Sequence, residues 1–177
     1  MSDLPEQWGV TPAEVAATYG CDGLRPGAPL RWLRGVDVAA PREVAFRWLC
    51  QLRAAPYSYD LVDNLGRRSP QTLTPGLDEL AVGQRVATVF RVHTFVPGEE
   101  LTLVLPPGPV ARASGDMAVS YAALPGDDDA TSRLVAVLRV QALPRPVAAA
   151  LCWGDLVMMR RQLLNLARLA AGGRGAD

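Results

Sequence analysis

The longest periodic segment of the sequence lies at its end. From about Val147 to Ala171, the residues Cys152, Leu156, Met159, Leu163, Leu166 and Ala170 recur at steps of four and three. Arg161, Asn165 and Arg168 fall on the opposite face. Pro144 and Pro146 mark where such a helix starts. It would be ~38 Å long, and its apolar stripe needs a partner of comparable length.

The sequence before it supplies one. Between Gln84 and Gln141 the period changes to two, and tight turns separate four strand-like runs. In the first run, Gln84 to Val96, the apolar face is Val86, Thr88, Phe90, Val92, Thr94 and Val96. Arg85, Arg91 and His93 take the other face. Glu99 to Leu105 returns after Pro97-Gly98, Asp116 to Leu124 follows a Pro-rich turn, and Thr131 to Gln141 follows the acidic turn at Asp127 to Asp129. Leu134, Ala136, Leu138 and Val140 form the apolar face of the last run. The result is an antiparallel meander with a helix to cover it, an α+β arrangement.

Upstream, Thr11-Pro12-Ala13-Glu14 reads as a capping box, with a helix running to about Tyr19 and stopping at Gly20. Arg31 to Val38 is extended. Val44, Trp48 and Leu52, spaced by four after Pro41, predict a second helix. Tyr57 to Gly66 is expected to form a short helix, and Arg67 to Leu80, broken by Pro70, Pro75 and Gly76, a covering loop. The expected organisation is an N-terminal arm with a short helix (1–29), a ligand-binding domain (30–172) and a flexible tail (173–177).

Charge and cysteine content narrow the classes of partner. The 18 basic residues, all arginine, balance 18 acidic ones, so neither nucleic acid nor a membrane is expected as a partner. Cys21, Cys50 and Cys152 lie far apart beside a single histidine, which argues for free buried thiols and no metal site. No secretory signal or bilayer-length apolar run is visible, so a soluble, cytoplasmic protein is expected. No phosphate-binding glycine loop, nucleophile elbow or zinc-helix motif is present, and no cofactor is expected.

Several stretches resemble one known group. They are Trp8 to Glu14, Pro41 to Leu52, Tyr57-Ser-Tyr-Asp60 with Asp63-Asn64-Leu65, Leu80 to Gly83, Thr131 to Leu134 and Met158 to Leu163. Together, over about residues 8 to 170, they resemble the bacterial polyketide cyclase/dehydrase-like group of the SRPBCC (START/Bet v 1-like) superfamily. That resemblance implies a helix-grip fold, a curved antiparallel sheet wrapped around a long C-terminal helix.

An apolar cavity between sheet and helix is the corresponding expectation. Its walls would include Trp48, Phe90, Val92, Tyr121, Leu138, Trp153, Leu156, Met159 and Leu163, with Tyr57, Tyr59, Asp60 and Asn64 as the polar edge. Asp60 and Asn64 are four apart and would share a helical face. Two functions fit. One is binding of a hydrophobic polyketide-, lipid- or isoprenoid-like molecule by a monomer or weak homodimer. The other is a cofactor-free cyclase or dehydratase, with Tyr57, Tyr59, Asp60 or Tyr121 moving protons. His93 is expected to face outward, and Arg91, Arg133 and Arg139 to be solvated on the outer face.

Overall fold

The computed structural model describes residues 3–24, 26–59 and 66–172. Its framework is one seven-stranded sheet in the order β1-β2-β7-β6-β5-β4-β3. The strands are β1 (Gln7–Trp8), β2 (Leu30–Val38), β3 (Arg85–Val86), β4 (Phe90–Val96), β5 (Glu100–Val104), β6 (Met117–Pro125) and β7 (Ser132–Val140). Only the β1–β2 pair is parallel. β2 and β7 pair along their full length, from Leu30↔Val140 to Val38↔Ser132, which joins the early strand to the meander's last one. A long helix, α5 (Arg145–Gly172), crosses one face. This is the helix-grip fold.

The helices before it are short: α1 (Pro12–Ala16), α2 (Gly20–Leu24), α3 (Arg42–Cys50) and α4 (Pro109–Ser114). α3 continues as a 3-10 turn, Gln51–Arg53. It buries Phe46, Trp48 and Leu49 beside α5 in the main core.

The predicted N-terminal helix is interrupted. Its capping box forms, with Thr11 N donating to Glu14 Oε2 and Glu14 N to Thr11 Oγ1. The helix ends at Ala16, however, and α2 begins at Gly20, the residue expected to stop it. Arg31 explains the break, because its guanidinium donates to the carbonyls of Val15 (2.7 Å) and Ala17 (2.8 Å) and so caps α1.

The run Gln84 to Val96 is likewise two strands. Ala87 and Thr88 adopt left-handed backbone (φ 44° and 69°) and reverse the chain into a hairpin. Neither is a Gly, Asn or Asp that would have signalled the turn. A register shift between Val92 and Thr94 then exchanges the faces of β4. Phe95 packs toward the core, whereas Thr88, Thr94 and Val96 are exposed. The expected even-numbered wall therefore reduces to Val86, Phe90 and Val92.

Both faces of the central strands are covered. Leu33, Ala118, Ala122, Val135 and Val137 form a second buried cluster with Tyr19 and Cys21 of the N-terminal arm. Gly9 permits the arm to cross β2, because its φ is +68° and a Cβ there would collide with the Gly35 carbonyl.

The outer-face arginines are consequently not merely solvated. Arg133 donates from Nε to Glu14 Oε1 (2.5 Å) and from Nη2 to Glu14 Oε2 (2.9 Å) and the Gly9 carbonyl (2.8 Å). Arg139 Nε lies 3.5 Å from Asp22 Oδ1. Arg91 is exposed, with Nη1 donating to the Gly83 carbonyl.

The Glu14–Arg133 contact makes stability acid-sensitive. Burial raises the Glu14 pKa, but the hydrogen bonds from Arg133 and Thr11 outweigh it and hold the carboxyl below its ordinary value. Folding then favours the ionised form. The gain is complete above the unfolded value near 4.5 and disappears as pH falls through the folded value. Glu14→Gln should cost roughly 2 kcal/mol in urea denaturation at pH 7. It should also lose less further stability than the parent between pH 5 and pH 3. Parallel pH profiles for parent and variant would contradict this assignment.

Candidate functional site

The inner face of the sheet and the stripe of α5 meet in one buried cluster. Trp48, Val92, Tyr121, Leu138, Met159 and Leu163 are all buried, and they belong to one cluster with Trp32, Tyr57 and Leu166. Leu156 is also buried and Phe90 half-buried. All of these but the half-buried Phe90 are packed among other apolar side chains in the fold. Trp153 departs from the expected wall altogether: it points off the outer face of α5 and is 51% exposed.

A polar seam crosses this interior. Arg34 alternates in phase with Trp32, Val36 and Val38, so β2 carries it to the inner face, where it is fully buried. Nη1 donates to the carbonyls of Glu6 (2.7 Å) and Leu33 (2.9 Å). Nη2 lies 2.9 Å from Asp155 Oδ2 on α5. Further along the helix, Tyr121 Oη donates to Gln162 Oε1 (2.8 Å), and Gln162 Nε2 donates to the Pro56 carbonyl (2.5 Å). Each of these helix residues lies on or beside the apolar stripe, a signal available in the sequence and overlooked there.

The seam has direct consequences for proton chemistry. Burial pushes the Tyr121 hydroxyl well above its ordinary pKa, which makes it a poor proton donor or acceptor near neutrality. Burial also raises Asp155, to about 6, against the pull of Arg34. His93, by contrast, is exposed on β4.

The polar seam ends at a groove on the rim. Tyr57, Ser58, Tyr59, Arg68, Ser69 and Gln71 form one bank, and Arg161, Asn165, Arg168 and Leu169 of α5 form the other, around a space of about 450 Å³. The helix bank fixes the loop bank. Asn165 Nδ2 donates to the Tyr57 carbonyl (2.8 Å), one residue beyond the carbonyl held by Gln162. Tyr57 itself takes φ 58°, a strained conformation for a tyrosine that persists only where its surroundings enforce it. Its ring is buried edge-on to Trp48, with centroids 6.1 Å apart.

Among the described residues, the charges of the groove are of one sign. Arg161 lies over the Tyr59 ring at 6.0 Å, and Arg168 Nη2 contacts Gln71 Oε1 at 3.2 Å; both partners are uncharged. With Arg68 these make three guanidinium groups, and none of the described lining residues is a carboxylate. Of the residues expected at the polar edge, Tyr57 and Tyr59 are here. Asp60 and Asn64 lie outside the described residues, and residues 57–59 are not helical. Arg68, Ser69, Arg161 and Asn165 were missed as site residues, because a loop and a helix nearly a hundred residues apart meet only in the fold.

No protein-family model matches this chain, and neither does any curated protein. Solved structures share its architecture. A solution structure from Thermobifida fusca is 15% identical, covers 81% of this chain and 95% of its own, and superimposes with a TM-score of 0.56. A crystal structure of a Chromobacterium violaceum protein is 17% identical over 81% of this chain and 98% of its own, with a TM-score of 0.52. A member of the major latex protein family from Arabidopsis thaliana is 14% identical over 77% and 94% of the two chains, with a TM-score of 0.45. The first two similarities extend to the fold.

Burial of Asp155 has a measurable consequence. In a carbon-detected NMR titration its carboxyl should have a midpoint near 6, above its ordinary value of 3.8. Because folding favours the protonated form, this group's contribution to stability should decline as pH rises from about 4 to about 6. A midpoint below 4 would mean that Arg34 dominates over burial.

Proposed function

We propose that this domain binds a small molecule in the rim groove, one that joins a flat apolar body to an anionic group, either carboxylate or phosphate. The observation that carries this reading is the convergence of Arg68, Arg161 and Arg168 on one recess of about 450 Å³ whose described lining holds no carboxylate. Guanidinium forks match the geometry of carboxylate and phosphate oxygens. The exposed ring of Tyr59 offers apolar contact beside them, while Ser58 and Asn165 can fix orientation.

This reading puts the ligand at the edge of the expected interior and makes it an amphipathic anion rather than a plain hydrophobe. Binding without catalysis is the simpler reading. Of the acid–base candidates among the described residues, Tyr121 is committed to Gln162, Tyr57 is buried, and Tyr59 presents an exposed side chain to the groove.

Anilinonaphthalene sulfonate, an aromatic anion with environment-sensitive fluorescence, is a suitable probe. The folded protein should bind it at a single saturable site. Arg68→Gln and Arg161→Gln should each weaken binding about tenfold, in the range of one lost charge-assisted hydrogen bond, with an unchanged thermal transition. Fluorescence that does not saturate, or is indifferent to both substitutions, would refute the groove as the site. Native mass spectrometry of the protein as purified, followed by solvent extraction, would identify a retained ligand.

A further inference from the structure

The outer face of α5 has a composition that the overall charge balance conceals. Over 28 residues this helix contains five charged side chains: Arg145, Asp155, Arg160, Arg161 and Arg168. The one acid, Asp155, turns inward to Arg34, so every exposed charge is a guanidinium. Between them the outer face carries Trp153 (51% exposed), Val157 (51%) and Leu164 (40%). At offsets of four and seven these three lie on one side of the helix, with Arg160 and Arg161 flanking them. Arg160 lies 5.2 Å from the Trp8 ring centroid, a contact that leaves its charge unneutralised.

We infer that the outer face of α5 docks on an anionic lipid surface. A helix about 42 Å long with one exposed face along its length presents a line of contact suited to a plane. Its pattern of apolar side chains with a tryptophan, flanked only by cations, is that of helices which lie in the membrane interface. Docking on a second copy is disfavoured, because two such faces would set guanidinium against guanidinium. No helix among the described residues is long and apolar enough to cross a membrane, so the contact would be peripheral. Its apolar residues, Trp153, Val157 and Leu164, do not line the rim groove, which shares only the flanking Arg161 with this face.

Sedimentation of the full chain with vesicles tests this. Vesicles of phosphatidylglycerol and phosphatidylcholine should retain the protein at low ionic strength and release it at high salt, as the Debye length shrinks. Vesicles of phosphatidylcholine alone should not retain it. Val157→Glu, a change at an exposed position, should preserve the circular dichroism spectrum and lower retention about tenfold; Trp153→Ser should act likewise. Arg68→Gln, in the groove, should leave retention unchanged. Equal retention on both vesicle types, retention unaffected by Val157→Glu, or the absence of retention would overturn the inference. So would a dimer in sedimentation equilibrium that Val157→Glu dissociates, or saturable binding of an acidic helical peptide in place of vesicles.

Discussion

A single helix laid across the inner face of a curled sheet must be fixed both along its axis and about it, because apolar packing alone tolerates sliding and rotation. Here α5 is pinned by polar contacts at two heights. Asp155 meets the buried guanidinium of Arg34 on β2, and Gln162 links the Tyr121 hydroxyl of β6 to the Pro56 carbonyl. Buried polar groups with so few geometric solutions select one arrangement among many apolar ones. The rest of the architecture follows from that placement. Leu163 and Leu166 face the core, Trp153 and Val157 face outward, and Asn165 is positioned under the loop that begins at Tyr57.

The same pinning governs where a ligand can sit. Tryptophan, tyrosine and methionine side chains line the grip around the polar seam and are buried there. The described groove lies where the arginines of α5 approach the loop bank. Order in the loop depends on the helix, through the hydrogen bonds of Gln162 and Asn165 to consecutive carbonyls. Strain at Tyr57 is held by the same two contacts, so the groove and the interior are parts of one construction.

Much of the fold was legible because it rests on periodicity. The stripe from Cys152 to Ala170, the last three meander strands and the capping box at Thr11 all declare themselves through spacing. The failures have local physical causes. Left-handed Ala87 and Thr88 make a turn without a turn residue, the β4 irregularity shifts a face by one residue, and Arg31 ends α1 from a distance in sequence. The site was less legible. Tyr57 and Tyr59 stood out as a polar-aromatic cluster, yet their partners Arg161, Asn165 and Arg168 looked like the solvated side of an amphipathic helix. Arg34 was hidden differently, since an arginine in an alternating strand reads as outward-facing until its phase with Trp32 and Val36 is checked.

Backbone and arginine side-chain NMR locates binding at the rim groove most directly. Titrating an aromatic carboxylate such as naphthoate into the folded protein should shift the amides of Ser58, Tyr59, Ser69 and Gln71 together with the guanidinium signals of Arg161 and Arg168. Resonances of the packed interior, Val119 and Leu138 among them, should stay in place. Shifts concentrated on those interior residues, with the groove unmoved, would contradict it and return the ligand to the grip.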